Sequence, residues 1–225
     1  MGSEMCIRDS SVGYGDVVGA IGPIVSGVSE RRRVGIFGGT FDPPHMAHVV
    51  LAAAAMHQLE LDVLVVTVAG VPWQKVGSRE ISSGERRLEM ATAAFAEVAG
   101  VVVSDIELRR EGNSYTVDTL HELSAPDTDL ILLLGSDAAA GLDTWGRFDE
   151  IADLASIAVF PRRGHVDSEP PDGFTWERLS LPGLEISSTD IRRRVHAGEP
   201  IDGLLPADIQ ALIAEDELYI AGGDS

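Results

Sequence analysis

The first residues that could do chemistry form a glycine-rich turn followed by two histidines. The apolar run 34–37 is typical of a buried strand, and the turn after it consists of Gly38, Gly39, Thr40 and Phe41. A helix is predicted to begin soon afterwards, and it carries His45 and His48 on nearly the same side. Glycines let the backbone approach a bulky ligand, and a helix N-terminus offers unpaired N–H donors to an anion. The segment therefore predicts a site for the phosphates of a nucleotide.

A second group of anion-binding residues lies near the carboxyl terminus. It consists of Ser187, Ser188 and Thr189, with Arg192 about one helical turn further on. Hydroxyls followed by an acid are also what a helix N-cap needs, so a simply capped helix is the alternative interpretation. Hydroxyls, free N–H groups and an arginine can equally hold phosphate oxygens, the arginine through two hydrogen bonds at once. We favour phosphate binding.

Three further segments carry residues that suit the rest of a nucleotide, although each alone is more often structural. Gly135 and Asp137 follow an apolar strand, where an acid either caps a helix or binds a ribose hydroxyl. Trp145 could stack on a flat ring, but a tryptophan is more often part of a core or an interface. Lys75 could meet a phosphate or remain a solvated surface lysine, and Ser114 or Thr116 would ordinarily cap a helix.

The elements that must position these residues alternate along the chain. Strands are predicted at 34–38, 62–68, 101–106, 130–134, 156–160 and 176–181, and helices at 46–59, 83–98, 115–124, 147–154, 188–197 and 206–215. The strand at 130–134 is apolar throughout, which favours a parallel sheet covered on both faces. The pattern predicts an α/β fold with one doubly wound, mainly parallel sheet, formed as a single domain by residues 33–220.

Residues 1–32 are excluded from that domain. They are rich in Gly, Ser and Val and lack the periodicity of a helix or a strand. Gly13 and Gly15 have the spacing of a dinucleotide fingerprint, but no predicted strand precedes them and no predicted helix follows. The start of the segment also lacks the pattern of a secretion signal. We therefore expect a disordered or non-native leader.

Composition limits the class of partner. The 225 residues include 17 basic and 36 acidic ones, and the net charge of -19 argues against binding to nucleic acids or anionic membranes. An apolar stretch of about 20 residues, which a membrane span needs, is also lacking. The single Cys6 excludes an intramolecular disulfide and fits a reducing cytoplasm. An anionic ligand would require a local concentration of positive charge, which the segment around Arg192 could supply.

The motifs together resemble a known enzyme family. Gly38-Gly39-Thr40-Phe41-Asp42-Pro43-x-His45-x-x-His48 and Ile186-Ser-Ser-Thr-x-Ile-Arg192 resemble the nucleotidylyltransferases of the HxGH type. The segment Ser114-Tyr115-Thr116-x-Asp118-Thr119-Leu120 and the loop Pro72-Trp73-x-Lys75 are similar to those of the bacterial nicotinate-mononucleotide adenylyltransferases. The resemblance runs from about residue 33 to about residue 220 and implies a Rossmann-like fold. The Ser188-Thr189 form of the second motif favours ATP over CTP.

The resemblance implies a reaction in NAD biosynthesis, in which ATP and nicotinate mononucleotide give deamido-NAD and pyrophosphate. His45, His48 and Arg192 would act on the phosphates, the histidines as neutral or as imidazolium donors. The resemblance implies ATP contacts for Gly38, Gly39, Thr40, Phe41, Gly135, Asp137, Ser187, Ser188 and Thr189. It implies acceptor contacts for Lys75, Thr116 and Trp145. Mg²⁺ would be bound mainly through the ATP phosphates, without a dedicated protein metal site.

One departure from the family pattern keeps alternatives open. The family has glycine where this chain has Ala47, which is harmless if the position is simply helical but would narrow a site that needs close backbone approach. The alternatives are another acceptor, such as phosphopantetheine or nicotinamide mononucleotide, and a nucleotide-binding module with weakened catalysis. A dehydrogenase is rejected, since the first strand is not followed by Gly-x-Gly-x-x-Gly. The oligomeric state stays open, a homo-oligomer included.

Overall fold

Six parallel strands form one sheet in the computed structural model, which describes residues 31–70, 81–110, 112, 114–162 and 168–220. The strands are β1 (Arg32–Gly39), β2 (Val63–Val68), β3 (Val101–Ser104), β4 (Thr128–Gly135), β5 (Ala155–Phe160) and β6 (Trp176–Arg178). Their order across the sheet is β3-β2-β1-β4-β5-β6, and every neighbouring pair is parallel. The predicted α/β class and the parallel sheet are confirmed.

Helices connect the strands. They are α1 (Met46–Gln58), α2 (Gly84–Phe95), α3 (Thr116–Leu123), α4 (Ser136–Ala140), α5 (Phe148–Leu154), α6 (Ser188–His196) and α7 (Ala207–Glu215). A 3₁₀ turn, Leu142–Thr144, lies between α4 and α5. The six predicted helices are present, while α4 and the 3₁₀ turn were not predicted because they are too short to show helical periodicity. Within the described residues, no helix is both long and apolar enough to cross a membrane.

Two strands, β3 and β6, end two and three residues earlier than predicted. β3 stops at Ser104 rather than at residue 106, because the chain turns back there and the Arg109 N–H donates to the Asp105 carbonyl at 3.0 Å. β6 stops at Arg178 rather than at residue 181. It lies at the edge of the sheet, and its last paired residue faces Val159, next to the end of β5.

The sheet is covered on both faces, as a doubly wound fold requires. Alternate side chains of one strand enter separate cores: Leu64 and Val66 of β2 join one core, while Val63 and Val65 join the other. The first core packs residues of α1, α2, α6 and α7 against the sheet, and the second packs residues of α3 and α5. Strands buried on both faces read as continuous apolar runs, which explains the apolar strand β4.

The order of the strands also creates the crevice in which the site lies. The chain moves outward from β1 through β2 to β3 and then returns to the other side of β1 as β4. In such sheets, ligands bind outside the carboxyl ends of the strands where this reversal occurs. Gly39 ends β1 and Gly135 ends β4, so both predicted glycine turns meet at this point.

Candidate nucleotide-binding site

A cavity of about 450 Å³ opens at the carboxyl ends of β1 and β4. Its volume lies within the usual range of small-molecule sites. Ten residues predicted for the site line it: Gly38, Gly39, Thr40, Phe41, His48, Thr116, Gly135, Asp137, Trp145 and Ser188. The fold therefore brings the glycine turn, the start of α6 and part of the predicted acceptor residues to one cavity. Lys75 lies outside the described residues.

The turn after β1 is fixed by an aromatic side chain. Phe41 has a φ of 50°, in the left-handed region that non-glycine residues seldom adopt. Its buried ring makes edge contacts with Phe37 and Phe95, at centroid distances of 5.5 and 5.8 Å. A Cβ at Gly39 would lie 2.7 Å from Cζ of this ring. Gly39 is therefore required because Phe41 folds back over it.

The two histidines are stacked at the start of α1. Their ring centroids are 3.7 Å apart, and the backbone N–H of His45 donates to Nδ1 of His48 at 3.1 Å. Because Nδ1 of His48 accepts this hydrogen bond, the ring proton lies on Nε2, which is then a donor. His48 lines the cavity, whereas His45 is buried at the N-cap position of α1 and does not.

Both imidazoles are neutral at neutral pH. Burial and the positive charge of Arg162 lower the pKa of His45 to about 4. Burial lowers the pKa of His48 well below its usual value, with smaller effects from His45 and Arg162. In the protein without bound phosphates, burial therefore favours neutral N–H donors over imidazolium ions.

Helix α6 is docked directly onto the glycine turn. The Ser188 hydroxyl donates to the carbonyl oxygen of Pro43 at 2.8 Å. The Arg192 guanidinium donates through Nη1 to the carbonyl oxygen of Asp42 at 2.5 Å and through Nη2 to Thr189 Oγ1 at 3.0 Å. The two motifs, about 150 residues apart in sequence, are thus joined by hydrogen bonds to consecutive carbonyls of one turn.

The capping interpretation of the second motif also holds in part. The Ser187 hydroxyl accepts the backbone N–H of Asp190 at 3.1 Å and so caps α6. Of the four residues predicted here, Ser188 lines the cavity, while Ser187, Thr189 and Arg192 do not. Helix capping and docking onto the turn therefore account for much of this motif, and the docking places the helix N-terminus beside the cavity.

The acceptor side of the cavity is more exposed. Tyr115, rather than Ser114 or Thr116, occupies the N-cap position of α3, which corrects the capping alternative drawn from the sequence. Its side chain is 44% exposed, and a Cβ at Gly146 would lie 3.2 Å from its ring. Trp145 follows the 3₁₀ turn and lines the cavity beside this ring. Two aromatic side chains thus stand at one end of the site.

The end of β4 is shaped by a glycine and an acid. A Cβ at Gly135 would lie 2.5 Å from Asp137 Oδ1 and 2.9 Å from Cγ of Arg162, so the position has no room for a side chain. Asp137 is exposed in the first turn of α4, and its carboxylate lies 3.6 Å from Nε of Arg162. The backbone N–H of Arg162 donates to the Ser136 hydroxyl at 2.9 Å, which fixes the main chain of Arg162 at the cavity wall.

Arg162 was not predicted, and neither was Arg87. Arg87 is 3% exposed, and its guanidinium donates to the carbonyl oxygens of Thr40 at 3.1 Å and Ala69 at 2.7 Å. It also reaches the carbonyls of residues 70 and 82. Burial lowers the pKa of Arg87, and the negative charge of Asp42 opposes this effect. Arg87 therefore holds the loops after β1 and β2 together beneath the site.

A sequence signal existed for Arg87 but not for Arg162. Arg87 precedes the buried Met90, Ala91 and Ala94 by three, four and seven residues, which is the spacing of one helix face. An arginine on an apolar face indicates a buried cation with specific partners. Arg162 is the first of two adjacent arginines in a polar loop, and nothing in the sequence distinguishes it from Arg163.

Glu107 is a further unpredicted residue of the cavity wall. It accepts a hydrogen bond of 3.3 Å from the Thr119 hydroxyl. Burial raises the pKa of its carboxyl group, although Thr119 and the charge of Arg110 act in the opposite direction. The adjoining hydroxyls of Thr67 and Ser114 are buried without a hydrogen-bond partner among the described residues. The part of the cavity wall formed by Glu107, Thr67 and Ser114 is therefore polar.

Ala47 lies in the first turn of α1 and is helical. It is not among the residues that line the cavity. Both observations favour the interpretation in which alanine simply replaces glycine as the better helix former.

Comparison with known proteins identifies the class to which this fold and site belong. A sequence profile described as cytidylyltransferase-like matches residues 36–194. The match covers most of the chain, and the chain belongs to this family.

Curated relatives narrow the class further. A probable nicotinate-nucleotide adenylyltransferase of Albidiferax ferrireducens is 41% identical over 196 residues, covering 84% of this chain and 98% of the relative. One of Acidothermus cellulolyticus is 37% identical, covering 84% and 95%. These relatives place the chain among the nicotinate-nucleotide adenylyltransferases.

Solved structures share the fold. The nicotinic acid mononucleotide adenylyltransferase of Plasmodium falciparum, complexed with NaAD, has a TM-score of 0.67 at 18% identity and covers 84% of this chain and 97% of its own. A nicotinate-nucleotide adenylyltransferase described as putative, from Vibrio parahaemolyticus, has a TM-score of 0.61 at 18% identity and covers 85% of this chain. The Rossmann-like nucleotidyltransferase fold implied by the sequence is confirmed.

Proposed function

We propose that this chain transfers the adenylyl group of ATP to nicotinate mononucleotide, forming deamido-NAD and pyrophosphate. The observation that carries the proposal is one cavity with the glycine-rich turn at one end and the aromatic side chains of Tyr115 and Trp145 at the other. The names of the curated relatives support the same acceptor. An oxygen of the acceptor phosphate attacks the α-phosphorus of ATP in line, the new P–O bond forms, and the bond to the leaving pyrophosphate breaks.

The chemistry needs no side-chain nucleophile, since the acceptor phosphate already is one. The protein must hold two polyanions close together and neutralise the charge that develops on the phosphates. The turn 38–41 offers backbone N–H groups to the α-phosphate, and Nε2–H of His48 donates to the same group. His45 orients His48 through the hydrogen bond from its backbone and through ring stacking.

The leaving pyrophosphate is assigned to the start of α6. Ser188 lines the cavity at this helix N-terminus, whose positive dipole end favours an anion, and Arg192 adds positive charge where it joins the turn. Arg162 is assigned to the phosphates as well, since it stands on the cavity wall near both histidines. These two cations supply the local positive potential that the acidic chain otherwise lacks.

Magnesium enters this scheme as part of the nucleotide substrate. The groups at the phosphate end are N–H donors, hydroxyls and guanidinium groups, which suit phosphate oxygens rather than a hard cation. Among the described residues, no group of three or more His, Cys, Asp or Glu side chains has the arrangement of a metal site. Mg²⁺ bound to the phosphates lowers their charge and favours departure of pyrophosphate.

The other end of the cavity is assigned to the bases and riboses. Trp145 stacks on the pyridine ring, Thr116 and nearby N–H groups receive its carboxylate, and Lys75 approaches the acceptor phosphate. Gly135 and Asp137 are assigned to the adenosine of ATP. The single cysteine supports a cytoplasmic location for the reaction.

Light scattering of the purified protein would decide between a monomer and a homo-oligomer.

The test is magnesium-dependent release of pyrophosphate from ATP with three acceptors assayed in parallel. We expect the highest kcat/KM with nicotinate mononucleotide, compared with nicotinamide mononucleotide and phosphopantetheine. Preference for another acceptor would contradict the pyridine-side assignments but keep the transfer chemistry. ATP binding without pyrophosphate release from any of the three would indicate a nucleotide-binding module instead.

A further inference from the structure

A tyrosine from the carboxyl-terminal part of the chain contacts the segment 38–44, which connects β1 to α1 and is called the phosphate turn below. The Tyr219 hydroxyl donates to Oδ1 of Asp42 at 2.7 Å, although the two residues are 177 positions apart. Asp42 is 2% exposed and lies in the turn between Phe41 and His45. The proposed function assigns no role to this buried hydrogen bond.

Asp42 is well placed to transmit this contact to the site. Its backbone carbonyl accepts the hydrogen bond from Arg192, and its negative charge acts on the buried Arg87. Arg87 in turn donates to the carbonyl oxygen of Thr40. The Asp42 side chain therefore lies among the groups that hold both ends of the phosphate turn.

The segment that carries Tyr219 is held in a specific conformation. Glu217 and Tyr219 have φ values of 51° and 63°, in the left-handed region that costs a non-glycine residue free energy. Asp216 forms an ion pair with Arg86 of α2 at 2.5 Å, and the Leu218 N–H donates to the Ile213 carbonyl at 3.0 Å. Such a backbone persists only where its surroundings determine it.

The Tyr219 hydroxyl is a donor at all pH values relevant to the enzyme. Burial and the charge of Asp42 raise the pKa of this phenol above its usual value, so the proton stays in place. Its other contacts are long: Ser82 Oγ lies at 3.5 Å and the Met90 sulfur at 3.9 Å. The bond to Asp42 is therefore the principal polar interaction of the hydroxyl.

We propose that Tyr219 is a positioning residue for adenylyl transfer, whose hydroxyl holds the Asp42 carboxylate and through it the phosphate turn. Tyr219 does not line the cavity, so it acts on the reaction through Asp42 rather than by touching the substrate. The expected consequence is a loss of turnover rather than of nucleotide affinity. This inference rests on the proposed function for its kinetic part.

The test uses Tyr219→Phe, which removes one oxygen atom and keeps the ring. At 25 °C, in protein shown to be folded by circular dichroism, we expect kcat for pyrophosphate release to fall about tenfold, as for a lost hydrogen bond to a charged group. We expect KM for ATP to change less than threefold. Ser82→Ala, which removes the long contact to the same hydroxyl, is the control and should leave both constants unchanged. An unaltered kcat in Tyr219→Phe, with only a lower melting temperature, would overturn the proposal.

A double variant tests the route of the effect. If Tyr219 acts through Asp42, then Tyr219→Phe causes no further loss of kcat when combined with Asp42→Ala. Multiplying losses would contradict that route. Should Asp42→Ala not fold, Asp42→Asn has the same size and takes its place.

A readout independent of activity separates this inference from the proposed function. Hydrogen–deuterium exchange of the peptide covering residues 36–44 should be faster in Tyr219→Phe than in the unmodified chain or in Ser82→Ala. Unchanged exchange would overturn the positioning role even if transfer activity is confirmed. A chain without transfer activity but with the expected exchange would contradict the proposed function alone.

Discussion

The two ends of the cavity are built in different ways. At the phosphate end, the turn after β1 is held by the buried ring of Phe95, by Arg87, by α6 and by Tyr219, all through contacts distant in sequence. At the acceptor end, Tyr115 precedes the short helix α3 and is 44% exposed, and Trp145 follows the 3₁₀ turn. The phosphate end is preorganised, and the acceptor end has fewer constraints.

This difference corresponds to the chemistry that the proposed function gives to each end. Stabilising charge in a transition state requires donors fixed before the substrate arrives, because reorganisation would consume the gain. Recognition of a flat ring depends more on contact area and stacking geometry. Substitutions at the phosphate end should therefore change turnover, while those at the acceptor end should change acceptor affinity.

The largest effect is expected for Arg192→Ala. The guanidinium joins the second motif to the turn. In the proposed function it also supplies charge to the phosphates, so its loss should lower kcat/KM for ATP by about 1.5–3 kcal/mol, or roughly 10- to 160-fold. Arg193→Ala is the matched control, since Arg193 is exposed and pairs with Asp190 and Glu199. The measurement is steady-state kinetics at varied ATP concentration. An unchanged kcat/KM for ATP in Arg192→Ala would contradict the proposed role of the second motif in phosphate binding.

The sequence predicted the parts of the fold and the site that depend on local patterns. The apolar pattern and the glycine turns located the strands, the helices and the phosphate motifs, because those signals are local. The sequence could not show the partners of Arg192 and Tyr219, because these partners lie on the turn, 150 and 177 residues away. Hydrophobic periodicity shows which side of a helix or strand faces inward, but not which carbonyl groups its side chains will contact. The same reason explains why Arg162 was missed, while Arg87 could have been noticed.

A pH effect on stability should distinguish the buried histidine at the phosphate end. The pKa of His45 is lowered from 6.5 to about 4, so between these values the unfolded chain binds a proton that the folded chain does not. Stability contributed by the neutral imidazole is complete above pH 6.5 and is lost as the pH falls toward 4. The loss is about 1.4 kcal/mol per pH unit.

The measurement is urea unfolding at pH 7 and pH 5, with His45→Asn as the variant, because asparagine is itself a favourable N-cap. When the pH is lowered from 7 to 5, the free energy of unfolding should fall by about 2 kcal/mol less in the variant than in the unmodified chain. The same substitution at the exposed His57 serves as the control. Equal losses in His45→Asn and the unmodified chain would show that His45 does not remain neutral in the folded protein.

A smaller effect is expected at the acceptor end. Trp145→Leu should raise KM for nicotinate mononucleotide about tenfold, since an aromatic stacking contact contributes about 0.5–1.5 kcal/mol beyond its buried area. KM for ATP and kcat should change little. Trp176→Leu provides the control, because Trp176 lies in β6 and stacks on Arg178 at 5.3 Å instead of lining the cavity. An equal rise of KM for both substrates would show that the two ends are not separable.

The smallest effect is expected for Ala47→Gly, which restores the family residue. Ala47 is helical and does not line the cavity, so its methyl group takes no space from the nucleotide. The glycine variant should have unchanged kinetic constants and should be less stable by up to about 1 kcal/mol, the cost of glycine relative to alanine in a helix. Higher activity in the variant would mean that the methyl group does restrict the phosphate end. The preorganised end would then be less complementary to ATP than its hydrogen bonds indicate.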